Sequence, residues 1–145
     1  MSQQPSPPAA PTVPPLPFPD ALSKFFWDAT KEHRLEILRC QSCGLYLHPP
    51  RPVCRACLST DVAPEEVSGR ATLYTWTIVE QAFGAYYATQ VPYVYATVEL
   101  VEQADLRLVT NIVDVPFDEL RAGMDLVVTF ADMSPDLTLP RFRPA

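Results

Sequence analysis

Two cysteine pairs with identical spacing constrain the fold of this chain more than any other feature of its sequence. The first pair is Cys40 and Cys43, the second is Cys54 and Cys57, and the chain contains no other cysteine. In each pair, the two intervening residues allow one tight turn to present two thiolates to a single ion. The ten residues between the pairs can fold back as a hairpin and bring the four sulfur atoms together. Four soft ligands in a tetrahedron favour zinc, with a single iron as the alternative.

The other interpretation of the four cysteines is a pair of disulfides in a secreted protein. Residues 1–20 lack a positively charged segment followed by an apolar one, so we expect no signal peptide. No stretch approaches the roughly 20 apolar residues of a transmembrane helix, so we expect no membrane association. We therefore predict a cytoplasmic protein with a structural zinc, because four cysteines close the coordination shell. This assignment leaves no free thiol for nucleophilic catalysis.

The sequence divides into four segments. Residues 1–20 hold eight of the 17 prolines, which predicts a disordered or semi-rigid tail that is either a spacer or an SH3-type ligand. Residues 21–38 carry apolar side chains at helical spacing and are predicted to be helical. Residues 39–63 are the predicted metal ribbon, and residues 64–145 are the predicted β domain. We therefore expect a mainly β protein with one helical segment ahead of the ribbon.

The segment 64–145 shows the alternation of apolar and polar residues that is typical of β-strands. The alternation is clearest where Val94, Ala96, Val98 and Leu100 fall on one face. Strands are predicted at 71–79, 93–101, 106–113 and 126–130, and a short helix at 116–122. A fifth strand comes either from division of the first strand or from the C-terminal segment. This pattern predicts an OB-type barrel, with a small sandwich as the alternative fold.

The charge balance bears on the partners of the chain. Seventeen acidic and 11 basic side chains give a formal net charge of −6. Nucleic-acid binding needs a basic groove with stacking aromatic side chains, so this balance argues against it. Four arginines lie close to the ribbon, and a local basic patch keeps a nucleic-acid-binding ribbon and barrel as an alternative. These arginines are Arg34, Arg39, Arg51 and Arg55.

The sequence contains no set of residues that is sufficient for catalysis. It has no G-x-S-x-G elbow, phosphate loop or H-E-x-x-H motif. Of its two histidines, His33 is interpreted as a surface residue, and His48 is a candidate metal ligand that four cysteines make unnecessary. The acidic residues are scattered, and their spacing selects no pair for acid–base chemistry. We therefore predict that the chain is not catalytic by itself.

Three short segments carry side chains that are suited to binding. The aromatic residues at 25–27 either pack on the ribbon and the β domain or form a surface for a partner. The loop 83–87 places three aromatic rings around Gly84 and either binds a partner or caps the barrel. Between the cysteine pairs, prolines at 49, 50 and 52 flank Arg51, which either binds a phosphate or carboxylate or lies free on the surface.

The order of motifs along the chain is more specific than any one of them. An aromatic segment at 25–27 precedes the two cysteine pairs, which flank Pro-Pro-Arg at 49–51. There follow Gly-Arg-Ala-Thr-Leu-Tyr-Thr-Trp-Thr at 69–77, Val-Pro-Tyr-Val at 91–94, Gly-Met at 123–124 and Leu-Pro-Arg-Phe-Arg-Pro at 139–144. From Leu22 onward this order resembles the acyl-CoA-associated zinc-ribbon/OB-fold family, long labelled a domain of unknown function. One departure is the turn Glu-Gln-Ala-Asp at 102–105, where many members have a glycine.

This resemblance implies a helical segment, a rubredoxin-like zinc ribbon and a C-terminal OB fold. It also implies a thiolase-like partner, since the chain is similar to the domain that accompanies a thiolase-like aldolase in bacterial steroid side-chain degradation. The implied reaction is retro-aldol cleavage of a β-hydroxyacyl-CoA with the main catalytic groups on the partner, and an acyltransferase complex is the alternative. We expect the CoA thioester to be shared with the partner, near Arg51 and Arg70. A stand-alone acyl-CoA-binding protein is a further alternative.

Overall fold

A computed structural model describes residues 14–145 of the chain, in which one helix precedes a three-stranded sheet and a five-stranded closed barrel. The elements are α1 (Lys24–Lys31), β1 (Glu36–Cys40), β2 (Tyr46–Leu47), β3 (Val62–Glu66), β4 (Arg70–Val79), β5 (Tyr93–Leu100), β6 (Arg107–Ile112), β7 (Asp125–Ser134) and β8 (Leu137–Pro144). Single 3₁₀ turns occur at Tyr87–Thr89 and Phe117–Glu119. No helix within residues 14–145 combines the length and the hydropathy required to cross a membrane.

The N-terminal helix is shorter than the sequence predicts. We expected helix over 21–38, but α1 ends at Lys31, and His33 then adopts a positive φ of 57°. The residues that follow form strand β1, whose two faces are both buried. Ile37 enters the barrel core, whereas Leu38 enters a small cluster beside the cysteines. Because short apolar runs are ambiguous between helix and strand, this two-sided packing decides the conformation.

The predicted proline-rich tail falls mostly outside the described part of the chain. Residues 1–13 are not described by the structure, and residues 14–20 have no regular secondary structure. The side chain of Asp20 accepts hydrogen bonds from the backbone N–H groups of Leu22 and Ser23. This turn leads the chain directly into α1.

The ribbon sheet has β1 at its centre, with β2 and β3 antiparallel on either side. The sheet extends over residues 36–66 and therefore beyond the predicted ribbon limits of 39 and 63 at both ends. Its small apolar cluster consists of buried Leu38, Cys40, Leu47 and Cys54. Since two of these four residues are cysteines of the predicted metal site, the ribbon has little apolar core of its own.

The β domain is a closed barrel with strand order β4-β5-β6-β8-β7, as expected for the OB-type barrel and not for a small sandwich. The four predicted strands are confirmed, and the fifth is the C-terminal segment β8. On β5, the predicted inward face is buried at each position, from Val94 at 2% exposure to Val98 at 0%. The helix predicted over 116–122 is reduced to the 3₁₀ turn at Phe117–Glu119.

Ribbon and barrel are joined by packing and by one side chain. Leu35, Ile37 and Tyr46 of the ribbon side belong to the barrel core cluster. Across the junction, the Tyr46 N–H donates to Gln103 Oε1 at 2.8 Å, and Gln103 Nε2 donates to the Tyr46 carbonyl at 3.2 Å. Gln103 lies in the turn that lacks the family glycine. There Asp105 adopts a φ of 63°, which aspartate tolerates better than most residues.

Candidate metal cluster and ligand groove

The four cysteines meet at one point of the ribbon, as their spacing predicts. Their Sγ atoms all lie within 4.8 Å of one another. The Cys40–Cys57 and Cys43–Cys54 sulfur pairs are each 3.6 Å apart. A tetrahedral ion with sulfur bonds of about 2.3 Å requires edges of about 3.8 Å, whereas a disulfide requires about 2.05 Å. The geometry therefore fits one four-sulfur metal ion and does not fit two disulfides.

Two similar turns present these sulfur atoms. In the first, the Gly44 N–H donates to the Cys40 carbonyl at 2.8 Å, and Gly44 adopts a φ of 78°. In the second, the Leu58 N–H donates to the Cys54 carbonyl at 3.0 Å, and Leu58 adopts a φ of 62°. The left-handed position is easy for glycine and costly for leucine, so the second turn is strained where the first is relaxed.

The thiols of the cluster differ in their tendency to ionise. The N–H of Cys43 lowers the pKa of Cys40, and the N–H of Cys57 lowers the pKa of Cys54 to about 6. At Cys43 the Leu45 N–H acts to lower the pKa, but contact with Cys54 and burial outweigh it and raise the pKa to about 12. Four adjacent thiolates therefore need a cation to coexist, which suits a divalent metal.

His48 lies outside the cluster that could hold the metal, which consists of the four cysteines alone among the described residues. Its ring lies 6.3 Å from the ring of Phe26, and burial lowers the pKa of the imidazole. His48 instead lines two cavities at the junction of ribbon and barrel. The sequence-based candidate ligand is thus a wall residue of a neighbouring groove.

A basic cavity of about 390 Å³ lies between the ribbon hairpin and the barrel. Arg51, Arg55 and Arg107 line it together with Asp105. Arg107 already has partners within the chain. Its guanidinium forms ion pairs with Glu99 and Asp105, and its central carbon lies 3.7 Å from the centre of the Tyr74 ring. Arg51 and Arg55 have no ion pair within residues 14–145. They are therefore available to an anionic ligand.

Arg70, the other predicted CoA-binding residue, lies elsewhere. It begins β4 opposite Val127 of β7 and is exposed. It lines neither the basic cavity nor the two cavities next to it along the groove. A role for Arg70 in CoA binding stays a prediction that needs a ligand extending beyond the groove.

An apolar cavity of about 330 Å³ adjoins the basic one, since His48 lines both. It lies between α1 and strands β6 and β8. Phe26 and Trp27 form one wall with their rings in edge-to-face contact at 5.2 Å, and Leu108 and Leu139 form part of the other. The aromatic residues of α1 thus pack on the protein: Phe26 contacts the barrel core, and its neighbour at 25 contacts the ribbon cluster.

A third cavity of about 300 Å³ continues the groove at the end of the barrel, because Asn111 and Leu139 line both it and the apolar cavity. The aromatic residues of the predicted binding loop 83–87 lie in two different environments. Tyr87 lines the third cavity, whereas Phe83 is 96% exposed. The residues that sequence reasoning missed are Tyr93, Asn111, Leu139 and Arg141, which come from three strands. Tyr93 belongs to the Val-Pro-Tyr-Val motif at 91–94, and Leu139 and Arg141 belong to the closing motif at 139–144, whereas no sequence signal pointed to Asn111.

Two family models match the chain. One is described as "ChsH2, rubredoxin-like zinc ribbon domain" and matches residues 27–63. The other is described as "ChsH2, C-terminal OB-fold domain" and matches residues 64–131. Together they span the ribbon, most of the barrel and the greater part of α1.

Two curated proteins and one solved structure are similar to this chain. A "Probable enoyl-CoA hydratase alpha subunit" of Thermomonospora curvata is 40% identical over 83% of this chain, which spans only 37% of that protein. A "DUF35 domain-containing scaffold protein" of Methanocaldococcus jannaschii is 32% identical over 76% of this chain and 77% of its own length. The solved structure "Ltp2-ChsH2(DUF35) aldolase" contains a chain that is 37% identical, with a TM-score of 0.81. The match covers 89% of this chain and 98% of that one.

Proposed function

This chain belongs to the ChsH2 (DUF35) family of zinc-ribbon and OB-fold proteins, and from that membership we propose that it is an accessory subunit of a thiolase-like complex acting on acyl-CoA. The proposed reaction is retro-aldol cleavage of a steroid side-chain β-hydroxyacyl-CoA, with the main catalytic groups on the partner. The observation that carries this proposal is a groove that is basic at one end and apolar along its middle. The similar chain in the aldolase structure supports the choice of partner.

The ion of the cluster is proposed to be a structural Zn²⁺ held by Cys40, Cys43, Cys54 and Cys57. The sulfur spacing and the match to a zinc-ribbon family support this assignment. An ion with four cysteine ligands has no open position for water or substrate, so its contribution is to the folding of the ribbon. Within this proposal, the metal holds the hairpin that carries Arg51 and Arg55 in place beside the barrel.

The CoA moiety is proposed to lie in the groove with its phosphates at the basic end. Arg51 and Arg55 supply the charge there, and guanidinium groups bind phosphate oxygens in a bidentate manner. The pantetheine chain then passes the rings of Phe26 and Trp27 toward Leu139. In this orientation Arg70 would contact only a part of the ligand or partner that lies outside the groove.

The sequence offered the aromatic segment at 25–27 and the loop 83–87 as partner surfaces. Since the rings of α1 pack on the protein and wall the groove, the partner enzyme is proposed to contact the exposed part of the loop 83–87. Phe83 supports this surface, because it is 96% exposed and exposed aromatic side chains are enriched in interfaces. Phe18, which precedes α1 in the chain, is 98% exposed as well. We keep the cytoplasmic location of such a complex as a prediction.

Reconstitution with a thiolase-like partner protein tests this function. We expect the two proteins to copurify and aldolase activity to require both. An Arg51→Glu, Arg55→Glu double variant should raise KM for acyl-CoA by about 10-fold or more, because it replaces the attraction for phosphate by repulsion. Arg121→Glu is the matched control, since Arg121 is exposed and lines none of the three cavities. Full activity from the partner alone would refute the accessory role.

A stand-alone acyl-CoA-binding protein is the second candidate, because the basic cavity lies within this one chain. Calorimetry with CoA separates the two functions. An accessory subunit with a shared site should bind CoA weakly alone and tightly only with its partner. Tight binding by the isolated metal-loaded chain would favour the second candidate.

A further inference from the structure

The two cysteine turns of the ribbon differ in the residue that follows each pair. In both turns this residue has a left-handed backbone, with a φ of 78° at Gly44 and 62° at Leu58. In both, its N–H donates to the carbonyl of the first cysteine of the pair, at 2.8 Å and 3.0 Å. The two turns thus require the same conformation, in which a bulky residue is an outlier. Glycine would serve the metal equally well at position 58.

The side chain of Leu58 gains nothing from the fold in return for this strain. It is 75% exposed, and it belongs to neither of the two apolar clusters of the described chain. It lines none of the three cavities of the groove, so the proposed path of CoA does not account for it. A strained residue without a local gain points to a function at that position.

The turn that carries Leu58 is fixed by hydrogen bonds on its far side. The Cys54 N–H donates to the Ser59 carbonyl at 2.9 Å, and Ser59 Oγ lies 2.8 Å from Ser42 Oγ of the first turn. Ser59 Oγ also accepts a hydrogen bond from the Asp61 N–H at 3.1 Å. The leucine side chain is therefore presented on a rigid support, which lowers the entropy that binding would cost.

A second exposed apolar side chain flanks this turn. Val53 is 40% exposed and lies one residue before the cysteine whose carbonyl binds the Leu58 N–H. We call Val53 and Leu58 the knuckle patch. Residues 41–60, which include the patch, contain Arg51 and Arg55 but none of the 17 acidic side chains of the chain. The patch is thus apolar within a basic stretch of an acidic protein, and an acidic surface complements it.

We propose that the knuckle patch is a docking contact for the partner enzyme, which covers Leu58 with an apolar pocket edged by carboxylates. The hairpin that carries the patch also carries Arg51 and Arg55, so a partner that shares the CoA at the basic cavity must approach this hairpin. Burial in the pocket supplies the hydrophobic stabilisation that Leu58 lacks in the free chain. The carboxylates meet a surface without acidic side chains, which favours association. The identity of the partner rests on the proposed function.

Surface plasmon resonance with the full metal-loaded chain and its thiolase-like partner tests the patch. Leu58→Gly should weaken binding by about 10-fold or more, mainly through faster dissociation, because it removes an apolar anchor. Leu58→Asn should do the same, since asparagine tolerates the left-handed backbone but is polar. Val53→Ser should have a smaller effect. Val101→Ser is the matched control and should bind like the wild type, because Val101 is 55% exposed but lies on the barrel, in the turn after β5.

Stability measurements separate docking from a structural role. In urea unfolding of the metal-loaded chain, Leu58→Gly should be no less stable than the wild type, since glycine relieves the left-handed backbone. It should also lose its metal at the same chelator concentration. A docking contact thus predicts weaker partner binding without loss of stability. Lower stability or easier loss of metal in Leu58→Gly would make Leu58 a structural residue and overturn the proposal.

Enzyme kinetics and self-association exclude other occupants of the patch. With the chain in saturating excess over the partner, Leu58→Gly should leave KM for acyl-CoA unchanged, because Leu58 lines no cavity of the groove. A raised KM would place Leu58 at the ligand and contradict the assignment. Analytical ultracentrifugation should give the same mass for the wild type and Leu58→Gly. A wild-type dimer that Leu58→Gly dissociates would make a second copy the occupant.

The binding data also distinguish this contact from the accessory function. If the partner binds the wild type and both Leu58 variants with equal affinity, the accessory function stands and the docking contact fails. If the partner does not bind the wild type, the accessory function fails and the contact fails with it.

Discussion

Removal of the metal should unfold the ribbon hairpin and leave the barrel folded. The apolar cluster of the ribbon has four buried members, of which Cys40 and Cys54 are themselves ligands. This leaves Leu38 and Leu47 as the fully buried aliphatic residues, whose burial contributes about 3–6 kcal/mol together at about 1.5–3 kcal/mol each. The partly buried Phe25, Leu45 and Val62 pack against them and add less. A four-cysteine zinc site contributes about 10–16 kcal/mol. Because the metal contributes more than the local core, we expect the two cysteine turns to open without it, whereas Tyr46 stays anchored to the barrel through Gln103.

The unfolding that follows removal of the metal should stop at strand β1. Leu35 and Ile37 are 2% and 1% exposed, and both pack in the barrel core cluster, which the metal does not touch. The barrel side of the junction therefore stays folded when the hairpin opens. The expected boundary of unfolding lies within β1, between the residues that face the barrel and those that face the cysteines.

Hydrogen exchange with and without a chelator measures this boundary. Amides of the two turns, such as Gly44 and Leu58, should exchange more than about 100-fold faster, since about 1.4 kcal/mol corresponds to a factor of ten. The amides of Leu100 and Val113, which donate within the barrel, should be unchanged. Cys43→Ser should reproduce the chelator result. Cooperative loss of protection in the barrel, or unchanged exchange in both turns, would refute the argument.

Two further predictions concern the barrel and its link to α1. Gly69→Ala should destabilise the fold by more than about 1 kcal/mol in urea unfolding, because its φ is +74° and a Cβ would lie 2.3 Å from a methyl carbon of Val128. Gly123→Ala, with a φ of +79° and no atom within 4 Å, should cost less and is the control. Asp132→Asn should lower the melting temperature near neutral pH, since the hydrogen bond from His33 lowers the pKa of Asp132. This stabilisation is present above the ordinary pKa of about 3.9 and is lost as the pH falls through the lowered value, so the difference between the two proteins should vanish in acid. A difference in melting temperature between the wild-type protein and Asp132→Asn that grows in acid would contradict this role of Asp132.

Several features of this protein could be predicted from its sequence because they depend on local geometry. Two residues between cysteines suffice to place two thiolates side by side, so the clustering of the four cysteines could be predicted. Alternation of side chains requires only neighbouring residues, which is why the inward face of β5 could be named. The OB-type barrel followed from the number and order of such strands. The zinc-ribbon and barrel resemblance rested on the same local motifs.

Other features required the tertiary structure because they depend on contacts between distant segments. The helix predicted to reach Leu38 ends at Lys31, since β1 is buried from two sides by elements that are far away in sequence. The ligand groove joins residues of α1, β5, β6 and β8 with the ribbon hairpin. Closure of the barrel, with the helix and the hairpin packed on it, decides which of their side chains share a wall. Arg51 and Arg141 lie in the first and last sections of this groove, whereas Arg70 does not line it. Spacing along the chain determines which residues can share one turn, but only barrel closure determines which residues share a cavity.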